Sequence, residues 1–102
     1  KLINYTTNFL NNLSRVNWEM DGGYPWAIEF DTYIKDRITN RALQDVIEYK
    51  RAGTSAQLAF RTTEHFDPLL YVLGAADAGD RLSIMNDRCI MGSLSMTCYL
   101  FE

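Results

Sequence analysis

The chain has 102 residues, of which 47% are hydrophobic and 13% aromatic, and its formal net charge is −3. This composition is typical of one folded domain with one modest core, and it argues against an intrinsically disordered chain. Lys and Arg are scattered among Asp and Glu, which argues against a nucleic-acid surface, and no apolar run approaches the ~20 residues that span a bilayer. We therefore expect a single segment over residues 1–102 that binds neither nucleic acid nor membrane.

The first residues and the cysteines bear on the cellular compartment. Residues 1–5 carry a charge but lack the apolar region of a signal peptide. The chain begins without Met and enters a short apolar stretch at once, as a piece of a longer polypeptide would. Two cysteines, Cys89 and Cys98, are too few for a disulfide framework or a metal knuckle. We expect reduced thiols and a cytoplasmic location, with a Cys89–Cys98 bridge as the alternative.

The first half of the chain predicts a short strand over residues 2–5 and then a helix. The helix follows an Asp21-Gly22-Gly23 break and starts at Pro25, a residue that the first helical turn accepts. Apolar residues then recur every three or four positions, at Trp26, Phe30, Tyr33, Ile34 and Ile38. The remaining charged positions are expected to face solvent: Glu29, Asp31, Lys35, Asp36 and Arg37.

Two further helices are predicted in the middle of the chain. The second begins with Asn40 as its N-cap, has an apolar face of Leu43, Val46 and Ile47, and ends at residues 52–55. The third begins after Thr63 as its N-cap and ends at Gly74. Its apolar residues follow an i, i+3, i+4, i+7 pattern: Phe66, Leu69, Leu70 and Leu73.

The last twenty residues predict strands. Residues 82–85 and 89–91 are two short strands around a turn, and residues 93–101 alternate in character over their full length. One face of this last strand holds Leu94, Met96, Cys98 and Leu100. The other face holds Ser93, Ser95, Thr97, Tyr99 and Phe101. We therefore expect an α/β segment of about three helices and a C-terminal set of strands.

His65 is the only histidine, which limits the chemistry that the chain can perform. Neutral imidazole binds iron and zinc well, but one histidine cannot build a two- or three-histidine site. Glu64 and Asp67 are close in sequence, yet residues one or two apart on a helix do not face each other. The other ligands would have to come from Asp and Glu elsewhere in the chain or from other polypeptide. A structural or surface role for His65 stays open, and a hydrolase would need a serine that no motif indicates.

Three segments, taken together and in this order, resemble a known family. They are Tyr24-Pro25-Trp26-Ala27, the stretch from Glu64 to Ala75 (Glu-His-Phe-Asp-Pro-Leu-Leu-Tyr-Val-Leu-Gly-Ala), and Gly92-Ser93-Leu94-Ser95-Met96. The chain resembles the C-terminal part of the class III extradiol ring-cleavage dioxygenases, in the 4,5-DOPA dioxygenase-like branch. The resemblance implies the C-terminal portion of a mixed-sheet α/β dioxygenase fold.

The resemblance also implies an activity and a metal. Enzymes of this family cleave catechol-type rings with O2 at a non-haem Fe(II), and Zn(II) is an alternative occupant. The family's His-Phe/Tyr-x-Pro-Leu segment matches His65, which makes His65 one of the metal ligands. The other two ligand histidines lie in the N-terminal half of such proteins, so the resemblance implies a missing N-terminal portion or a partner chain.

A second position departs from the family's pattern. The family has an acid/base histidine in a Ser-Gly-x-x-x-His-Asn-Leu context, and the matching stretch, residues 7–13, places Asn11 there. An amide cannot exchange a proton near neutral pH, so acid–base help worth about 10²–10⁴-fold in rate should be missing. We therefore expect no catalytic residue in this segment. The alternative is a non-catalytic α/β remnant of the fold, or a partner-binding domain derived from it.

Overall fold

The structure is a computed structural model that describes the backbone of residues 4–7 and all of residues 10–102. Its helices are α1 (Pro25–Thr39), α2 (Leu43–Ile47), α3 (Thr54–Ala59) and α4 (Asp67–Ala75), with 3-10 turns at Leu13–Arg15 and Tyr49–Ala52. Its strands are β1 (Asn4–Thr7), β2 (Leu82–Met85), β3 (Cys89–Ile90), β4 (Leu94–Ser95) and β5 (Cys98–Phe101). The α/β prediction is confirmed.

Strand β5 is the centre of a three-stranded antiparallel sheet. The strand order is β1-β5-β2, and both outer strands place a residue opposite Tyr99, Thr6 from β1 and Ile84 from β2. Strands β3 and β4 pair separately as a small antiparallel ladder. The two strands predicted around residues 86–87 are therefore present but do not pair with each other. Of the strand predicted over residues 2–5, residues 2 and 3 lie outside the described residues.

The last strand is interrupted where one continuous strand was predicted. The Met96 N–H donates to the Arg88 carbonyl at the end of the β3–β4 ladder, and the Thr97 N–H donates to the Ser95 hydroxyl, so β5 begins only at Cys98. The predicted alternation nevertheless continues across the break. The small polar and aromatic face is the buried one, and it comprises Ser93, Ser95, Thr97, Tyr99 and Phe101.

The helices differ from the prediction between residues 40 and 59. Asn40 closes α1 instead of opening α2, because its backbone and side-chain N–H groups both donate to the Asp36 carbonyl. Ala42 stands at the start of α2. Gly53 turns the chain with a φ of 85°, and α3 then begins at Thr54 where the second helix was expected to end. The positive φ of Gly53 changes the direction of the chain, so the 3-10 turn before it and helix α3 after it do not form one continuous helix.

The core lies where α1 packs against α2, α3 and the strands β3 and β4, and Tyr99 and Phe101 of β5 belong to the same buried cluster. An aromatic cluster crosses it: the ring centroids of Phe60 and Phe66 are 5.2 Å apart, and those of Phe66 and Tyr49 are 4.7 Å apart. Phe30 on α1 meets Phe60 edge to face at 6.0 Å.

Cys89 and Cys98 are both buried and free, so the alternative disulfide is not formed. Among the described residues, none of the helices combines the length and apolar character of a bilayer span.

The entry to α1 is pinned against the loop before β4. The Tyr24 N–H donates to the Gly92 carbonyl and the Gly92 N–H donates to the Gly22 carbonyl, both at 2.9 Å. Gly92 has a φ of 80°, and a Cβ at this position would overlap the Tyr24 ring. This close approach joins two of the three segments that carry the family resemblance.

Replacing Gly92 by Ala should destabilise the fold strongly. We expect Gly92→Ala to lower the free energy of unfolding by roughly 2–4 kcal/mol, because the strain of a left-handed alanine adds to the overlap with Tyr24. Gly53→Ala is the matched control, since Gly53 has a φ of 85° but nothing within 4 Å of the added Cβ. It should cost less than Gly92→Ala, about 1–3 kcal/mol from backbone strain alone. Equal costs in urea unfolding would contradict the role given to the Gly92–Tyr24 contact.

Candidate functional site

His65 lies in a tight turn just before α4 and its side chain is exposed. The Thr63 carbonyl accepts the N–H groups of Phe66 at 2.9 Å and Asp67 at 2.7 Å, and this closes the turn. The Thr63 hydroxyl donates to the Asp67 carboxylate at 3.0 Å. The prediction placed the start of this helix directly after Thr63. The helix begins at Asp67 instead, because Thr63 first closes a separate turn.

The turn is anchored by the residue that follows His65. Phe66 is only 1% exposed and packs between Phe60 and Tyr49 in the aromatic cluster. His65 is therefore directed outward while its neighbour is fixed in the core. An imidazole held in this way is accessible to an ion or a partner without movement of the backbone.

The described residues do not complete a metal site around this imidazole. Nowhere in residues 10–102 do three or more His, Cys, Asp or Glu side chains form a group that could hold a metal ion. Glu64 and Asp67 are exposed, and the Asp67 carboxylate is already engaged by Thr63. The donor set that this part of the chain offers thus fits a single ligand, His65, and not a whole coordination sphere.

Asn11 is half-buried beside β4. It forms an antiparallel bridge with Leu94, and the flanking bonds join the Asn12 N–H to the Ser93 carbonyl and the Ser95 N–H to the Leu10 carbonyl. Asn12 is buried and donates to the Leu58 carbonyl at 2.6 Å. Side chains alternate along an extended segment, so Asn11 points to the side opposite Asn12.

A buried carboxylate was missed by the sequence prediction. Asp31 was expected to face solvent, but it is 4% exposed and accepts hydrogen bonds from the hydroxyls of Ser95 at 2.7 Å and Thr97 at 3.2 Å. The expectation was wrong because it followed the charge of the residue and not its spacing. Asp31 falls on the i, i+4, i+7, i+11 row formed with three apolar residues: Ala27, Ile34 and Ile38.

Burial dominates the electrostatics of this cluster. It raises the pKa of Asp31, although the hydrogen bond from Ser95 and the nearby Lys35 ammonium act in the opposite direction. Lys35 itself pairs with Asp87 at 2.5 Å. Burial also raises the pKa of Cys89 to about 12, with Asp31 adding to the effect. Cys89 therefore stays a thiol near neutral pH and is a poor nucleophile.

Comparison with known proteins relates the chain to one group of enzymes. No family model matches it. It is 38% identical over 96 residues to a 4,5-DOPA dioxygenase extradiol of Escherichia coli strain K12, covering 87% of this chain and 34% of that protein. It is 31% identical over 81 residues to a protein of the same name from Beta vulgaris, covering 79% of this chain and 30% of that protein.

One solved structure agrees with the sequence comparison. The crystal structure of an uncharacterized protein from Escherichia coli K12 matches with a TM-score of 0.79 and 33% identity, over 94% of this chain and 41% of that chain. The chain is thus an α/β relative of extradiol dioxygenases. More narrowly, it is related to a segment of the 4,5-DOPA extradiol dioxygenases, as its motifs predicted, and it spans about a third of the length of the curated relatives it matches.

The raised pKa of Asp31 predicts a pH dependence of stability. A carboxyl whose pKa is raised on folding favours the folded state at low pH, and this contribution is lost as pH rises through the folded-state pKa. Asp31→Asn keeps the group neutral throughout. We therefore expect the unfolding free energy of the wild type, relative to Asp31→Asn, to fall as the pH rises above about 4, the ordinary pKa of an aspartate.

Urea unfolding at several pH values measures this difference. Asp36→Asn, on the exposed side of the same helix, is the matched control. A wild type that gains stability relative to Asp31→Asn as the pH rises would show that hydrogen bonding outweighs burial at Asp31.

Proposed function

We propose that this chain supplies one metal ligand, His65, to a non-haem metal-dependent dioxygenase that cleaves catechol-type rings with O2. The observation that carries the proposal is an exposed, anchored imidazole in a segment related to proteins named 4,5-DOPA dioxygenase extradiol. A neutral imidazole in this position can bind a metal through a ring nitrogen. The free thiols agree with a cytoplasmic enzyme.

The rest of the coordination sphere is proposed to come from polypeptide outside these residues. Among residues 10–102, no three potential ligand side chains come together, whereas the matched relatives are about three times as long as this chain. An N-terminal portion of the same protein is the source we favour, and a partner chain is the alternative. On this proposal the segment alone is inactive.

The metal and the chain would have separate tasks. Fe(II) would supply the redox chemistry that O2 requires, whereas Zn(II) could bind the same imidazole but is redox-inert. The Thr63 turn and buried Phe66 would hold the His65 ring in place. His65 would act as a ligand and would not transfer protons. The catechol-type substrate would bind at the completed site.

A second candidate is a non-catalytic domain derived from the same fold. The observation that favours it is Asn11, which stands where the resemblance expects an acid/base histidine. The bridge to Leu94 fixes the position of Asn11 beside β4. The amide of Asn11 cannot transfer protons, so an acid/base position filled by Asn11 would be without that function. The two candidates differ in whether metal and turnover are present.

Removal of the imidazole tests the first candidate. In the longest natural polypeptide that contains this chain, His65→Ala should lower metal affinity and catechol-dependent oxygen uptake by at least about 100-fold, since even residues that only support a ligand contribute 10–100-fold. Metal analysis and an oxygen electrode measure the two losses. Glu64→Ala, in the same exposed turn, is the control and should change neither by much. Metal binding that survives in His65→Ala would contradict the proposed ligand.

Restoring the histidine at Asn11 separates the two candidates. If Asn11 occupies the acid/base position, Asn11→His should raise oxygen uptake by about 10²–10⁴-fold and introduce a dependence on pH near neutrality. Asn12→His is not a suitable control because Asn12 is buried and bonded to Leu58, so Asn11→Gln is used instead. A polypeptide that neither binds metal tightly nor shows turnover, with asparagine, histidine or glutamine at position 11, would favour the non-catalytic candidate.

A further inference from the structure

Helix α4 is apolar around its whole circumference. From Pro68 to Ala76 the only polar side-chain group is the Tyr71 hydroxyl. A helix of this kind is normally buried on every side. Here only Leu69 is fully buried, while Tyr71 is 80% exposed and Gly74 and Ala75 also face solvent.

Helix α1 of the same protein shows how a helix with one exposed side is built. After its first turn, where Pro25 and Ile28 are exposed, its outward positions are polar: Glu29, Thr32, Asp36 and Thr39. The outward positions of α4 after Asp67 carry no charge and, apart from the Tyr71 hydroxyl, no polar group. The difference indicates that the outer side of α4 is built for burial and not for water.

The outer side of α4 carries only a shallow depression that is wide open to solvent. Five residues line it, and we call them the α4 outer face: Asp67, Leu70, Tyr71, Gly74 and Ala75. Gly74 and Ala75 leave room beside the Tyr71 ring, so another backbone could approach closely. The turn that carries His65 immediately precedes this face in the chain.

We propose that the α4 outer face docks polypeptide continuous with this chain, corresponding to the part of its relatives that the chain does not span. That part is large, because the chain covers only 34% of the Escherichia coli dioxygenase and 41% of the matching crystal structure. Docking there would bring further donors to the His65 turn. This inference rests on the proposed function, since it names where the missing portion of the metal site attaches.

A charge placed at Tyr71 tests the docking. In the 102-residue chain, Tyr71→Lys should leave urea unfolding nearly unchanged, because the side chain is exposed there. In the natural polypeptide that contains the chain, the same change should lower the folded-to-unfolded ratio at least about tenfold, since it buries an unpaired ammonium. Thr32→Lys is the matched control: Thr32 lies on the exposed, polar side of α1, so the change should be nearly neutral in both.

Crosslinking gives a second measurement that does not depend on stability. A photo-crosslinking residue at position 71 of the natural polypeptide should form intramolecular crosslinks to the segment upstream of this chain. Crosslinks to a second copy, or a Tyr71→Lys variant that is neutral in both polypeptides, would overturn the inference. Failure of the proposed function looks different: His65→Ala would then leave metal binding intact while Tyr71→Lys still destabilised the natural polypeptide.

Discussion

The attachment of α1 to the last strands is the constraint on which the rest of the structure depends. At its start, backbone bonds to Gly92 hold the helix so close that only glycine fits beside the Tyr24 ring. About two turns later, the buried Asp31 carboxylate accepts hydrogen bonds from the hydroxyls of Ser95 and Thr97. The Asp31 carboxylate is desolvated, so its two hydroxyl donors contribute specificity of position more than net stability.

This attachment determines where two parts of the candidate site lie, the Asn11 segment and the His65 turn. The segment that contains Asn11 pairs with β4, and β4 contains Ser95, whose hydroxyl donates to the Asp31 carboxylate. The turn of His65 is reached through the aromatic contacts from Phe30 on α1 to Phe60 and then Phe66. The packed core therefore presents one exposed imidazole. The function we propose follows from this exposure and from the absence, among residues 10–102, of further ligand side chains grouped around it.

The sequence predicted the features that depend on regular spacing. The apolar repeat after Pro25 predicted α1, and the count of one histidine predicted that this chain would offer at most one imidazole ligand. Asp31 was misplaced although its helical spacing held the signal. The interruption between β4 and β5 was not predicted, because the side chains keep alternating across it and the break shows only in the backbone bonds of Met96 and Thr97. Helix α3 was missed because residues 52–55 were taken as the end of the second helix, whereas α3 begins at Thr54.

The central claim is that this chain carries one ligand of a metal site that other polypeptide completes. The most direct test is a calorimetric titration of Zn(II) into the 102-residue chain and into the natural polypeptide that contains it. The account predicts one tightly bound equivalent in the natural polypeptide and binding weaker by at least about a hundredfold in the chain alone. Equal affinity in the two, or no tight binding in the natural polypeptide, would contradict it.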